Sequence, residues 1–240
     1  MGPELIETPE RGYQKQLAFE FERLLLNPTR TALQQFFESN CWVLGFASSA
    51  VGFAWALELC VVQPQFVLTN DTIVDFVAFT LHYHADLDQP SGRFVTRPKV
   101  TFISIGPPDA AFLSDASTLS PEIKRHLRQT EEHKEWVQKN STGIRTLLEG
   151  MIEADSNILN SCATFNRSSG TASIADRLAH GIQDSYLIVV GRRDAMTYLQ
   201  RFAIGEVIQE MPNVNLQTYD VILDRLLASA AFGWPIEFAL

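Results

Sequence analysis

Apolar residues in the first 40 positions recur every three or four places, which is the spacing of one face of a helix. This spacing predicts a helix over residues 13–26, which Asn27-Pro28 ends, and a second helix from Thr29 or Arg30 to about Ser39. The residues expected to face inward are Leu17, Phe21, Leu24, Leu25, Leu33, Phe36 and Phe37. The chain therefore opens with two short amphipathic helices.

A β-rich stretch follows these helices. Residues 64–69, 72–79 and 99–105 are rich in Val, Ile, Phe and Thr, a composition that predicts three strands. Asn70-Asp71 predicts a tight hairpin turn between the first two strands. A polar loop over residues 86–93 separates the second strand from the third, which ends sharply at Gly106-Pro107-Pro108.

A long helix is predicted over residues 120–140, because Ser120 is a suitable N-cap and Pro121 suits the first helical position. Beyond it the pattern predicts, in order, a helical segment over 143–152, a loop over 161–173, a strand over 185–193, a helix over 194–209, a strand over 214–220 and a closing helix over 221–231.

Length and composition narrow the class of protein. The chain has 240 residues, of which 46% are apolar, and this suits one large α/β domain or such a domain with an added helical arm. The longest apolar stretch, residues 41–62, is interrupted by Ser48, Ser49 and Glu58. It therefore predicts buried core and not a membrane span.

The termini, cysteines and charge suggest a compartment. The first 14 residues are acidic and lack the apolar region of a secretory signal. Three widely spaced cysteines match neither a zinc pattern nor a disulfide framework, so we expect a cytoplasmic protein. The net charge of −9 argues against a strongly basic surface that tracks phosphates, but it leaves room for a local basic patch.

Five segments carry a family resemblance: LQQFFESNCWVLGF (33–46), PQFVLTNDTIVDFVAF (64–79), the helix with Gln129, Trp136 and Asn140, LIVVGRR (187–193) and QTYDVILDRL (217–226). In their order and spacing they resemble the Shedu antiphage-defence family of the PD-(D/E)xK nuclease superfamily. The resemblance implies an α/β, restriction-endonuclease-like core in which helices flank a mixed central sheet. It divides the chain into a helical arm (1–32), a nuclease-fold domain (33–230) and an apolar tail (231–240). DNA as a partner and assembly into a homo-oligomer are also implied.

The chain departs from that family at the catalytic strand. The family's nucleases carry Glu-x-Lys-x-Pro there, and by alignment of the Pro this chain places Ser104 at the Glu and Gly106 at the Lys. Asp75 and Gln129 match the other catalytic positions. A hydroxyl and a bare backbone cannot replace a carboxylate and an ammonium in holding Mg²⁺ and its water. We therefore expect a catalytically degenerate protein without a cofactor, acting by nucleic-acid binding or oligomeric regulation.

The alternative is an active Mg²⁺-dependent DNA endonuclease whose catalytic groups have moved. Asp75 would bind the metal, Asp109 or Asp115 would supply a second carboxylate, and Lys124 would supply the ammonium. In the competing interpretation, Asp109, Asp115 and Lys124 are solvated surface residues, and Asp75 is only a hairpin residue that has kept its position.

Arg192 and Arg193 follow a predicted buried strand and precede a predicted helix. Two guanidinium groups at such a place could bind a nucleic-acid phosphate, and Lys124 is a further candidate for that contact. A structural role, in which they pair with Asp194 or Asp220, is the alternative.

Histidines form two further candidate groups. His82, His84 and Asp86 lie close together on one predicted strand and could bind a transition metal, although an exposed polar hairpin is the favoured interpretation. His126 and His133 lie seven residues apart on the predicted long helix, among charged residues. We expect this pair to lie on a solvated helix face.

The segment 232–236, Phe-Gly-Trp-Pro-Ile, is unusually apolar for a tail. It either packs on the body of the protein or forms an oligomer contact. A structural interaction protein that uses this tail is therefore a third hypothesis.

Overall fold

The computed structural model describes residues 11–40, 43–44, 47, 57–69, 72–85, 94–114, 118–153, 163–165, 182–193, 196–198, 211 and 213–232. Several sequence predictions lie outside the described residues. They are the turn at Asn70-Asp71, the loop over 86–93, most of the helix over 194–209 and the apolar tail beyond residue 232.

Within the described residues, six strands form one mixed sheet in the order β4-β1-β2-β3-β5-β6. β1, β2 and β3 form an antiparallel meander, whereas β5 runs parallel to β3 and β6 runs parallel to β5. The three strands predicted in the β-rich stretch are confirmed, and each is longer than its apolar segment. The strands are β1 (Leu57–Thr69), β2 (Thr72–Ala85), β3 (Phe94–Ile105), β4 (Ala163–Phe165), β5 (Gln183–Val189) and β6 (Val214–Gln217).

Helices cover both faces of this sheet, so the predicted mixed sheet flanked by helices is confirmed. The helices are α1 (Arg11–Leu26), α2 (Arg30–Ser39), α3 (Pro121–Glu153) and α4 (Tyr219–Phe232). α3 extends well beyond its predicted end and kinks at Asn140. None of the helices in the described parts of the chain is both long and apolar enough to cross a membrane.

The face covered by α1, α2 and α4 holds a cluster of aromatic rings. Phe21 of α1 stacks on Phe36 of α2, with 4.8 Å between the ring centroids. Phe37 contacts Phe76 of β2 edge-on and stacks on Tyr219 of α4, with 6.4 Å between centroids in each pair. The helix of the predicted N-terminal arm thus packs in the same core as the sheet.

The opposite face is covered by α3. Phe102 of β3 stacks on His133 of α3 at 4.8 Å and on Tyr186 of β5 at 5.7 Å. Trp136 donates a hydrogen bond of 3.0 Å from its ring nitrogen to the carbonyl of Leu68. These contacts hold the first half of α3 against β1, β3 and β5.

One strand was not expected from the sequence. β4 lies in the segment 161–173, which was predicted to be a loop, and it is three residues long. It pairs with Leu59, Cys60 and Val61 of β1. So short a strand is stabilised by pairing with a distant segment, and local composition carries little signal of it.

The carboxyl ends of β3, β5 and β6 lie at the same edge of the sheet because these strands are parallel. Three helices begin at this edge. Arg30 at the start of α2 bonds to Asp75, His126 in the second turn of α3 lies beside Gly106, and Tyr219 begins α4 directly after β6. Ligands of open α/β sheets commonly bind at such an edge.

Gly191 lies just beyond β5, at the same edge, and has a φ of +63°. A Cβ atom added there would lie 2.5 Å from the carbonyl oxygen of Ala110 and 2.8 Å from the ring of Phe112. We expect Gly191→Ala to lower the free energy of unfolding by about 2–4 kcal/mol, since it adds both backbone strain and a clash. Urea denaturation measures the change.

Gly143→Ala is the matched control. Gly143 lies in α3 with open space around its Cα, so alanine there should raise the free energy of unfolding by up to about 1 kcal/mol. Effects of the same sign in both variants would contradict this account of Gly191.

Candidate functional site

Asp75 lies where β2 separates from β3. The backbone pairing of the two strands ends at Phe76 and Ile103. Beyond that pair, the amide of Ile105 donates to Oδ2 of Asp75 at 2.7 Å. The other carboxylate oxygen, Oδ1, accepts from Nη2 of Arg30 at 3.3 Å. Both oxygens of Asp75 therefore have partners within the protein.

Gly106 immediately follows β3, and side chains from two other elements surround it. A Cβ atom added at Gly106 would lie 2.7 Å from Cγ2 of Val190 and 2.9 Å from Nε2 of His126. The hydroxyl of Tyr219 donates to the Gly106 carbonyl at 2.6 Å. The imidazole of His126 thus lies where a side chain at position 106 would begin.

Tyr219 connects α4 to the end of β3. Burial raises the pKa of its hydroxyl well above the ordinary value, and the negative charge of Asp75 raises it further. The hydroxyl is therefore neutral at physiological pH and acts as a hydrogen-bond donor.

Glu122, Arg125 and His126 form a polar group in the first two turns of α3. Arg125 holds Glu122 through both carboxylate oxygens. Nε2 of His126 lies 3.2 Å from Oε1 of Glu122 and 3.1 Å from Nη2 of Arg125. The helix begins as predicted, because the hydroxyl of Ser120 accepts from the amide of Ile123 at 3.3 Å.

The environment lowers the pKa of both Glu122 and His126, which leaves the first charged and the second neutral. The hydrogen bond from Arg125 lowers the pKa of Glu122, which keeps the carboxylate ionised. Burial lowers the pKa of His126, and the neighbouring charge of Arg125 lowers it further. At neutral pH the group therefore contains an ion pair beside a neutral imidazole.

The prediction of a solvated face for His126 and His133 is wrong. The two residues are 1% and 3% exposed and face the sheet. Ile123 lies three residues before His126 and Val137 four residues after His133, so both share this face of the helix, and both are buried. That apolar stripe was the signal for burial, and the charged residues between the histidines lie on other faces of α3.

The structure brings three of the predicted site residues together. Asp75, Ser104 and Gly106 lie at the end of β3, and Ser104 is partly buried there. Gln129 is partly buried one turn beyond Arg125 on α3, and its amide has no hydrogen-bond partner among the described residues. Neither the spacing nor the composition of the sequence had indicated Arg30 or Tyr219 as members of this site.

The proposed replacements for the catalytic groups are either exposed or outside the described residues. Lys124 is exposed on α3, and Asp109 is exposed in the turn after Gly106. Asp115 and Asp86 lie outside the described residues, as do the side chains of His82 and His84.

Arg192 and Arg193 are engaged with carboxylates of α4. Arg192 donates from Nε to Oδ1 of Asp220 at 2.7 Å and from Nη1 to the carbonyl of Leu25 at 2.7 Å. Arg193 pairs with Asp224 at 2.7 Å. The structural pairing with Asp220 is thus observed, and a nucleic-acid contact by these two arginines stays a prediction.

The candidate site is consequently an internally paired polar cluster. In the described parts of the chain, no three His, Cys, Asp or Glu side chains lie close enough together to hold a metal ion. No protein-family model matches the chain, and the search of curated proteins finds no significant match.

The buried histidines make stability dependent on pH. Burial lowers the pKa of His133 from 6.5 to about 4. Below pH 6.5 His133 therefore binds a proton in the unfolded chain but stays neutral in the folded chain. The free energy of unfolding is highest above this pH and should fall by roughly 2 kcal/mol between there and about pH 5.

The His133→Phe variant tests this origin. Phenylalanine keeps a ring against Phe102 and Tyr186 but cannot be protonated, so most of the fall should disappear. Urea denaturation at about pH 7.5 and pH 5 measures it, in a range where most carboxylates stay ionised. His126, whose pKa is lowered in the same direction, remains in the variant and sets the residual slope. An unchanged pH dependence would assign the effect to other groups.

Proposed function

We propose that this chain is a catalytically degenerate member of the PD-(D/E)xK nuclease-fold proteins, related to the Shedu antiphage-defence family, which binds nucleic acid without cutting it. The order of elements supports the proposal. Helices precede an antiparallel three-strand meander, and a long helix then leads to strands parallel to β3. This is the order that the resemblance implies for a restriction-endonuclease-like core.

The pairing of Asp75 is the observation on which the absence of catalysis rests. A carboxylate that serves as a Mg²⁺ ligand needs a lone pair that faces the ion, and a cation bound to the same carboxylate competes with the metal. In this chain the guanidinium of Arg30 takes one oxygen and the amide of Ile105 takes the other. The positive charge of Arg30 thus compensates the charge of Asp75, which is the role that a divalent ion would have in an active site.

The surroundings of Gly106 support the same conclusion. A lysine at this position would need space for its Cβ, which Val190 and His126 occupy. Ser104, two residues earlier, offers a hydroxyl and no charge. β3 therefore lacks both charged groups of the family's catalytic strand. Val190 and His126 fill the space that a lysine side chain at position 106 would need.

One observation favours the alternative of an active Mg²⁺-dependent endonuclease. Glu122 is a second ionised carboxylate at this edge of the sheet, and Arg125, its partner, is close enough to Asp75 to feel its charge. Displacement of Arg125 would leave Glu122 free to face a metal ion. Metal binding therefore separates the two proposals.

We expect no cleavage of supercoiled plasmid with Mg²⁺ or Mn²⁺, because the site offers no free pair of carboxylates. Calorimetric titration with Mn²⁺ should show no binding at millimolar metal. Asp75→Ala and Asp75→Asn serve as controls. Cleavage that both substitutions abolish would overturn the proposal and establish the endonuclease, whereas cleavage that neither changes would come from a contaminant.

Self-assembly is the second part of the proposal. Phe19 and Leu26 lie seven residues apart on α1 and are 53% and 73% exposed, which supports an apolar contact between copies. Light scattering should then give a mass that is a multiple of 26.9 kDa. Phe19→Gln with Leu26→Gln should reduce it to one chain, while removal of residues 232–240 tests the tail separately. A single-chain mass for the unaltered protein would contradict self-assembly.

A further inference from the structure

Four basic residues lie near one edge of the sheet, on a chain whose net charge is −9. Lys124, Arg125 and Arg128 lie within the first three turns of α3, and Arg30 reaches the same edge of the sheet through Asp75. The carboxylates in contact with them are Glu122 and Asp75. Four cations against two anions leave a local surplus of two positive charges. The four basic residues are called here the α3 basic face.

Two members of this face form no ion pair. Lys124 and Arg128 are one turn apart on the same side of α3, both are exposed, and neither has an ion-pair partner in the described parts of the chain. By contrast, Lys134 and Lys139 further along the helix pair with Glu131 and Glu135. Arg145, further along α3, is also exposed and without an ion-pair partner among the described residues, but no second basic residue lies within one turn of it.

Arg30 adds donors that are largely unused. Its side chain is 53% exposed, and its one hydrogen bond to a described residue, of 3.3 Å, goes to Asp75. A guanidinium has five N–H donors, so most of them remain available to a ligand. Gln129 supplies a further amide without a partner among the described residues, one turn beyond Arg125.

Two helices begin beside these side chains. Arg30 is the first residue of α2, and the basic residues of α3 lie in its opening turns. The N-terminus of a helix carries a partial positive charge, which favours anions within its first turn. The backbone therefore adds to the field of the side chains at the same edge of the sheet.

We infer that the α3 basic face binds the phosphodiester backbone of a nucleic acid. The inference rests on the proposed function and assigns the nucleic-acid contact to a particular surface. Charge complementarity is the basis, because flexible exposed cations fit a polyanion. The face contains no aromatic side chain on which a base could stack, so recognition is of phosphate and not of sequence.

This assignment moves the contact away from Arg192 and Arg193. Those arginines are held by Asp220 and Asp224, so a phosphate would have to displace an intramolecular carboxylate from each. Lys124 and Arg128 need no such displacement. Binding through about three phosphates is weak and falls steeply with salt, by a slope of roughly −0.9 per contact in logarithmic units.

Fluorescence anisotropy with a short labelled DNA duplex, from about 50 to 200 mM NaCl, tests the inference. Lys124→Ala with Arg128→Ala should weaken binding roughly tenfold or more at low salt and make the salt slope shallower by about 2. Lys124→Arg with Arg128→Lys keeps the charges and should restore binding. All four substitutions are on exposed positions, and circular dichroism verifies that the variants fold.

Lys134→Ala with Lys139→Ala is the matched control, because it removes the same charge from the same helix. Lys139 lies 15 residues beyond Lys124, about 22 Å along a straight helix. This control should change the affinity by less than about threefold and leave the salt slope unchanged. Equal losses in both double variants would show a general charge effect and overturn the inference.

The remaining outcomes separate this inference from the proposed function. If the variant Lys124→Ala with Arg128→Ala still binds DNA as the unaltered chain does, the assignment of the contact to the α3 basic face is wrong, while the proposal of nucleic-acid binding stands. Absence of DNA binding by the unaltered chain at low salt overturns both. Tighter binding to phosphatidylserine vesicles than to DNA, lost in the same variant, would assign the face to a lipid and overturn the inference. Cleavage of the duplex would refute only the non-cutting proposal.

Discussion

The carboxylate of Asp75 stabilises the point at which β2 leaves β3. The backbone ladder between the two strands ends at Phe76 and Ile103, so the buried amide of Ile105 would lack an acceptor without this side chain. A buried donor left without a partner costs about 1–3 kcal/mol, which makes the carboxylate a structural requirement as well as a charge. Its second oxygen fastens the start of α2 to the sheet through Arg30. The aromatic contacts beneath, where Phe37 meets Phe76, hold α2 against the same face of the sheet.

The charges at this edge of the sheet are compensated locally. Asp75 and Glu122 each have a guanidinium partner, Tyr219 keeps its proton, and burial keeps His126 neutral. Lys124 and Arg128, by contrast, have no ion-pair partner among the described residues. An acidic protein can for this reason present a small basic surface at the beginning of α3, in the place where helix N-termini already favour anions.

Local patterns were informative where burial follows a simple period. The apolar positions of α1 and α2 were predicted individually, and Leu17, Phe21 and Phe37 are buried as expected. In α3 the inward position of Ile123 was predicted and is confirmed, but the charged neighbours of His126 and His133 led to the wrong prediction of a solvated face for these two residues. A histidine on an apolar stripe is best interpreted as part of it, since the period reports the face that the sheet covers.

The candidate site could be predicted only in part, because its residues come from distant segments. Asp75 and Gly106 were indicated by the sequence, and they lie close together. Arg30, His126 and Tyr219 were not, since their roles arise from contacts across 45, 20 and 113 positions, respectively.

By itself, the sequence determined the two opening helices, the hairpin and third strand, the N-terminus of α3 and the absence of charged groups at Ser104 and Gly106. These follow from local periodicity, capping chemistry and side-chain identity, which need no long-range information. Only the tertiary structure decided that β4 pairs with β1 and that Arg30 neutralises Asp75. It also placed His126 in the space beside Gly106. Such pairings depend on which distant segments the sheet brings together, and no property of the separate segments specifies that.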